Sequence, residues 1–164
     1  MKIPVTLNEK KIVFDADPSE SLLEVLRREN IFSVKCGCEE GHCGNCMILL
    51  DGEPVPSCIV KVGTVRDCKI ITLEAFKSMP EYQDITTGFA QAGIHLCGYC
   101  NAGKYFTAYG IIRNPDRPAK PQLYEAIRGI SPCCTDRDSL ANGILYAIAT
   151  KHTREGRRNN AKKL

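Results

Sequence analysis

The chain has 164 residues, 43% of them hydrophobic and 25% charged, with a net charge of +3. That is the balance of an ordinary globular protein with one domain or two small ones, and it excludes a chain built mainly to span a bilayer. Ten cysteines are too many for an intracellular protein that merely packs thiols, so metal or cluster ligation is the economical explanation.

The N-terminus runs directly into alternating Ile3, Val5 and Leu7, with no signal peptide ahead of them, which predicts a cytoplasmic protein with no membrane partner. Residues 2–15 read as a β-hairpin turning at Asn8 and Glu9 and returning through Ile12 and Phe14. Asp17-Pro18-Ser19-Glu20 reads as a helix start, with Asp17 as cap, Pro18 at the first helical position and Glu20 as capping-box partner. Leu22, Leu23, Val25 and Leu26 then supply the apolar stripe of a short helix ending near Asn30.

A glycine-punctuated loop follows. Cys38 and Cys43 have four residues between them, Cys43 and Cys46 have two, and Cys58 comes after eleven more. This is the plant-type spacing that holds a [2Fe-2S] cluster on four thiolates. Gly37, Gly41 and Gly44 let backbone N–H groups turn towards the sulfurs. Zinc is the rival reading, since short cysteine spacings also make tetrahedral sites. A disulfide framework is the weaker alternative, because nothing marks the chain as secreted. Cys36, close to the loop, fits the spacing worse than Cys38, and Cys68 reads as an inert buried thiol.

Met47 to Leu50 predicts a strand turning at Asp51-Gly52 towards Cys58, and Ile70 to Leu73 predicts another. The expected first unit is a mixed α+β domain over residues 1–77, with a linker over 76–81. Beyond it the pattern becomes helical. Tyr82 to Gly93 predicts one helix, Tyr105, Ala108, Tyr109 and Ile112 share the face of a second, and Pro121 opens a third. Leu140, Ile144, Ala147 and Ile148 mark a fourth, capped by Asp136 or Asp138.

This predicts a helical bundle over 78–150 and a basic tail over 151–164 that reads as a frayed, solvated terminus. Nucleic-acid binding is not expected of that tail, which interleaves no aromatic residues. Cys97 and Cys100 lie between the first two helices, and Cys133 and Cys134 between the last two, so one end of the bundle would gather four thiols into a second metal site. Adjacent cysteines bind one centre only if the backbone between them bends, a bend that Pro132 would assist. His42, His95 and His152 are scattered and read as structural or exposed.

Cys38-Glu39-Glu40-Gly41-His42-Cys43-Gly44-Asn45-Cys46, followed by Leu49-Leu50-Asp51-Gly52 and Ser57-Cys58, resembles the signature of the iron–sulfur subunits of the molybdenum hydroxylases. The resemblance runs from the first hairpin to about Thr150. It implies a plant-ferredoxin-like β-grasp domain followed by a four-helix-bundle domain, each holding one [2Fe-2S] cluster. It further implies partners: a molybdopterin-binding large subunit, where a purine or other N-heterocycle is hydroxylated, and an FAD-binding medium subunit that receives the electrons. By this resemblance Cys38, Cys43, Cys46 and Cys58 hold one cluster. Cys97, Cys100 and Cys134 hold the one nearer molybdenum, with Cys134 the candidate pterin contact.

Three departures gather in the second unit. The family has Gln where this chain has Leu96, Thr-Pro-Gly where it has Asn101-Ala102-Gly103, and Cys-Arg-Cys-Thr-Gly-Tyr where it has Pro132-Cys133-Cys134-Thr135-Asp136-Arg137. The expectation is that Cys133 substitutes for the ligand at the proline position. The alternatives are a different or incomplete metal site, or a partner without a working molybdenum centre. From another class altogether comes a stand-alone ferredoxin-like carrier, which needs only the first unit.

Overall fold

The computed structural model describes residues 1–130 and 133–162. Its first part is a five-stranded mixed sheet in the order β2-β1-β5-β3-β4, formed by β1 (Lys2–Leu7), β2 (Lys10–Asp15), β3 (Met47–Leu50), β4 (Glu53–Pro56) and β5 (Lys69–Ile71). β1 and β2 pair antiparallel, with Ile3 opposite Phe14 and Val5 opposite Ile12. Asn8 and Glu9 both take positive φ, 48° and 69°, the twist that a two-residue hairpin turn needs. β5 lies parallel to β1 and antiparallel to β3. The buried face of this sheet, with Ile3, Val5, Phe14, Ile48 and Ile70, packs on Leu22, Leu23, Val25 and Leu26 of α1 (Leu22–Arg28).

The start of α1 corrects the sequence reading by four residues. Ser21 is the cap and Glu24 its capping-box partner, with Ser21 Oγ accepting from the Glu24 N–H. Asp17 and Glu20 still bond each other's turn, the Asp17 N–H donating to Glu20 Oε1 at 2.7 Å. That turn cannot continue as helix, because the carbonyls of Pro18 and Glu20 accept from Gly63 and Val62, in a 3-10 turn at Val62–Thr64. A contact over forty residues away outweighs the local signal.

The second part contains α2 (Leu73–Phe76), α3 (Pro80–Gln91), α4 (Asn101–Ile112), α5 (Lys120–Ala126) and α6 (Arg137–Ala161). Leu73 therefore opens a helical turn instead of closing a strand. The expected linker is not a loose connection, since Phe76 is fully buried and its ring packs against Tyr82, Phe106 and Tyr109. Asp136 caps α6 by accepting from the Ser139 N–H at 2.8 Å.

α6 also corrects the reading of the C-terminus: it runs on to Ala161, well into the stretch that the sequence reads as frayed. A buried ion pair holds it there. Asp84 on α3, 2% exposed, receives Arg154 Nε at 3.0 Å and Nη2 at 2.7 Å. α3 and α6 cross so closely at Gly88 that a Cβ there would lie 2.4 Å from the Ala147 nitrogen. The two parts of the chain share a seam, because Leu49 of β3 belongs to the helical core and Met47 packs against it.

Candidate metal centres

The first centre is the loop between α1 and β3 together with Cys58 just after β4. Cys38 Sγ accepts backbone N–H groups from Glu40, His42 and Cys43, each at 3.4 Å, and Cys43 Sγ accepts the Cys38 N–H at 3.4 Å. Those donors pull the Cys38 thiol down to about 6, with the Cys43 N–H the largest contributor. Burial pushes Cys58 up to about 12, as do the neighbouring Cys46 and Cys38 sulfurs. The loop can turn its amides inward because Gly41 and Gly44 hold φ of 84° and 80°. A side chain at Gly37 would run into Cys43 Sγ at 2.7 Å.

The loop carboxylates turn elsewhere. Glu40 pairs with His42 at 3.0 Å, and Glu39 accepts from Cys36 Sγ at 3.2 Å. Cys36 is thus exposed and engaged outside the sulfur group, while Cys68 is half-buried with its Sγ near the Arg66 carbonyl. His42, His95 and His152 are exposed or half-exposed.

The second centre sits where the α3–α4 and α5–α6 connections meet. Cys97, Cys100, Cys133 and Cys134 bring their sulfurs within 4.8 Å of one another. Cys97 lies 3.9 Å from Cys133, and Cys100 lies 3.6 Å from Cys134. The N–H groups of Tyr99 and Cys100 draw the Cys97 thiol down to about 6, whereas the sulfurs of Cys97 and Cys100 push Cys133 up to about 11. Gly98, at a φ of 90°, donates its N–H to Asn101 Oδ1 at 3.0 Å and fixes this loop. Asn101 thereby shapes the loop where the family motif has Thr. Leu96 packs on the helical core. Pro132, at the position where the family has a ligand, lies outside the described residues.

Backbone amides turn towards Cys38 in the first donor set and Cys97 in the second, and the second brings four sulfurs within 4.8 Å of one another, a chemistry that suits an anionic thiolate-bound cluster. When bound, such clusters supply one-electron oxidation and reduction. What the chain supplies is a fixed relation between them. The Tyr99 hydroxyl, between Cys97 and Cys100, donates to the Cys36 carbonyl at 3.0 Å. A Cβ at Gly103 would meet the Gly44 carbonyl oxygen at 2.7 Å, so the main chain of α4 lies directly on the first loop.

Two residues of the second site escape the sequence reading. Tyr99 lies between two ligand candidates without being one. Lys104, fully buried, donates from Nζ to Cys100 Sγ at 2.9 Å; its one visible signal is a charge inside the apolar pattern of α4.

Residues 5–69 match the 2Fe-2S iron-sulfur cluster binding domain, and residues 72–145 match the [2Fe-2S] binding domain. With the folds and sulfur groups described above, this defines an electron-transfer protein of two [2Fe-2S] clusters, each in its own domain. The nicotinate dehydrogenase small FeS subunit of Eubacterium barkeri is 32% identical over 89% of this chain and 94% of its own. The xanthine dehydrogenase iron-sulfur-binding subunit of Escherichia coli O157:H7 is 30% identical over 91% of this chain and 95% of its own.

Quinoline 2-oxidoreductase from Pseudomonas putida 86 superposes with a TM-score of 0.78 at 30% identity, covering 93% of this chain and 96% of the matched one. The chain belongs to the family of iron–sulfur small subunits of the molybdenum hydroxylases. The resemblance carried by the first cysteine motif, and the α+β architecture of a ferredoxin-like domain followed by a helical one, are borne out. Among the described residues no helix is long and apolar enough to cross a membrane.

Proposed function

We propose that this chain carries electrons from a molybdopterin-binding large subunit to an FAD-binding medium subunit. They enter at a cluster on Cys97, Cys100, Cys133 and Cys134 and leave from one on Cys38, Cys43, Cys46 and Cys58. The observation that carries the ligand assignment is the meeting of Cys133 and Cys134 with Cys97 and Cys100 within 4.8 Å, although 36 positions separate Cys97 from Cys133. Cys133 stands in for the ligand that the family has at the position of Pro132. Docking of the large subunit on this end is supported by exposure: Cys97 and Cys133 are open to the surface, and Cys134, the candidate pterin contact, is half-exposed.

The substrate class we infer is an N-heterocycle. Nicotinate, xanthine and quinoline, the compounds in the three relatives' names, are all of that class. Ten unpaired cysteines fit a reducing, cytoplasmic compartment. We take residues 1–77 and 78–150 as the two functional units. A stand-alone ferredoxin-like carrier is disfavoured by the seam, since removing the second unit would leave Leu49 and Met47 without the core that they join.

Iron and sulfide analysis of the purified chain tests the ligand set. The expected content is about four irons per chain, falling to about two in Cys133→Ser and unchanged in Cys36→Ser. Full iron content in Cys133→Ser would sink the assignment. For the partners, native size-exclusion chromatography is expected to give one large assembly containing molybdopterin and flavin, and elution of the chain alone would refute that part.

A further inference from the structure

We propose that Lys104 raises the reduction potential of the second cluster, acting as a fixed buried cation on the sulfur of Cys100. The proposal rests on the reading that Cys100 is a ligand of that cluster. Lys104 is fully buried, an unusual position for a lysine, and its Nζ donates to Cys100 Sγ at 2.9 Å. The geometry follows from the helix. Lys104 stands four residues after Cys100, the cap of α4, and long side chains on a helix lean back over the preceding turn. The amine is thus delivered to the Cys100 sulfur at the start of the same helix.

Reduction adds an electron to a centre that is already anionic. A neighbouring positive charge stabilises the reduced form more than the oxidised one, and net charge together with N–H bonds to sulfur are established controls of cluster potential. Burial makes the effect strong, since neither water nor salt screens the pair. The first centre is built differently. Cys38 Sγ there accepts three backbone N–H groups, which are dipoles and not charges. Lys104 therefore makes the second cluster a better electron acceptor than its thiolates alone would, which favours entry of the electron there before it passes on to the first. Lys104 is a positioning residue for charge, acting through Cys100.

The test is a redox titration of the iron-loaded full chain, followed by EPR so that both clusters are read separately. In Lys104→Met the iron content stays at the wild-type value. One midpoint falls by at least 59 mV, a tenfold change in a one-electron equilibrium, while the other does not move. Lys104→Gln, which keeps an N–H donor without charge, falls as well, and Lys104→Arg recovers most of the loss. Unchanged midpoints in both neutral variants overturn the proposal, as does loss of iron from both, which would make Lys104 a structural residue only. Cys100→Ser separates the underlying reading: it is expected to remove or alter the same EPR signal that Lys104→Met shifts. If both clusters survive in Cys100→Ser, the ligand assignment fails; if one is lost while Lys104→Met changes nothing, the charge proposal alone fails.

Discussion

Replacing Gly103 with alanine tests whether the first turn of α4, just after the second metal loop, touches the first metal loop through main-chain atoms. Two effects oppose each other. Alanine inside a helix is favoured over glycine by about 1 kcal/mol, so a free surface site would be stabilised. Here the new Cβ would lie 2.7 Å from the Gly44 oxygen, 2.9 Å from its carbonyl carbon and 3.1 Å from its Cα. These atoms are backbone and cannot swing aside, and Gly44 is held at a φ of 80° by the turn that it makes. Overpacking costs about 1–3 kcal/mol, with this site at the upper end. The net expectation is a loss of about 1–2 kcal/mol, or roughly 2–8 °C in Tm for a chain of this size.

The assay is thermal unfolding by far-ultraviolet circular dichroism, with visible absorbance reporting the clusters. Gly156→Ala serves as the control, because a Cβ on that helical glycine would have nothing within 4 Å and the substitution should gain about 0.5–1 kcal/mol. If Gly103→Ala melts at or above the wild-type temperature with unaltered cluster absorbance, the close approach of α4 to the first metal loop is refuted.

Other perturbations probe the frame around the sites. Gly88→Ala would press a Cβ to 2.4 Å from the Ala147 nitrogen and 2.5 Å from the Gly143 oxygen, and is expected to cost about 3 kcal/mol by forcing α3 and α6 apart; chemical denaturation measures it. Arg154→Met strands the buried Asp84 carboxylate and should cost about 3 kcal/mol, the lower end for a broken buried pair because Arg154 is partly exposed. Protease sensitivity should then rise selectively beyond Thr150. Burial opposes ionisation of Glu74, but hydrogen bonds from Ser33 and Thr72 outweigh it and hold the carboxyl below its ordinary 4.5. Its contribution is therefore complete above that pH and is lost as pH falls through the lower folded-state value. Acid unfolding of Glu74→Gln should lack that component.

Local features are legible in the sequence and distant ones are hidden. The first hairpin can be read because alternation and its turn residues agree within fourteen positions. The first sulfur loop can be read because ligand spacing is itself a local property. The start of α1 misleads because Asp17-Pro18-Ser19-Glu20 and Ser21-Glu24 carry equivalent capping signals, and bonds from Val62 and Gly63 decide between them. The length of α6 is hidden for the same reason: Arg154 finds Asp84 seventy positions away. Phe76, which the sequence places in a linker, is a core residue whose ring partners Tyr82, Phe106 and Tyr109 lie up to 33 positions on. Lys104 escapes notice because the helical pattern around it identifies a face, and the pattern says nothing of what a side chain meets at the helix end.

The contact between Gly44 and Gly103 is made by main-chain atoms, and the acceptor that Tyr99 finds at Cys36 is a main-chain carbonyl. Side-chain drift away from Tyr99 and the two glycines therefore leaves this seam between the two redox stations in place. Sequence change elsewhere can retune each station's energy, as a lysine beside a thiolate would, without touching the main-chain contact that sets them side by side. Distance and driving force become independently adjustable, which would let one scaffold serve enzymes with different substrates by altering potentials alone.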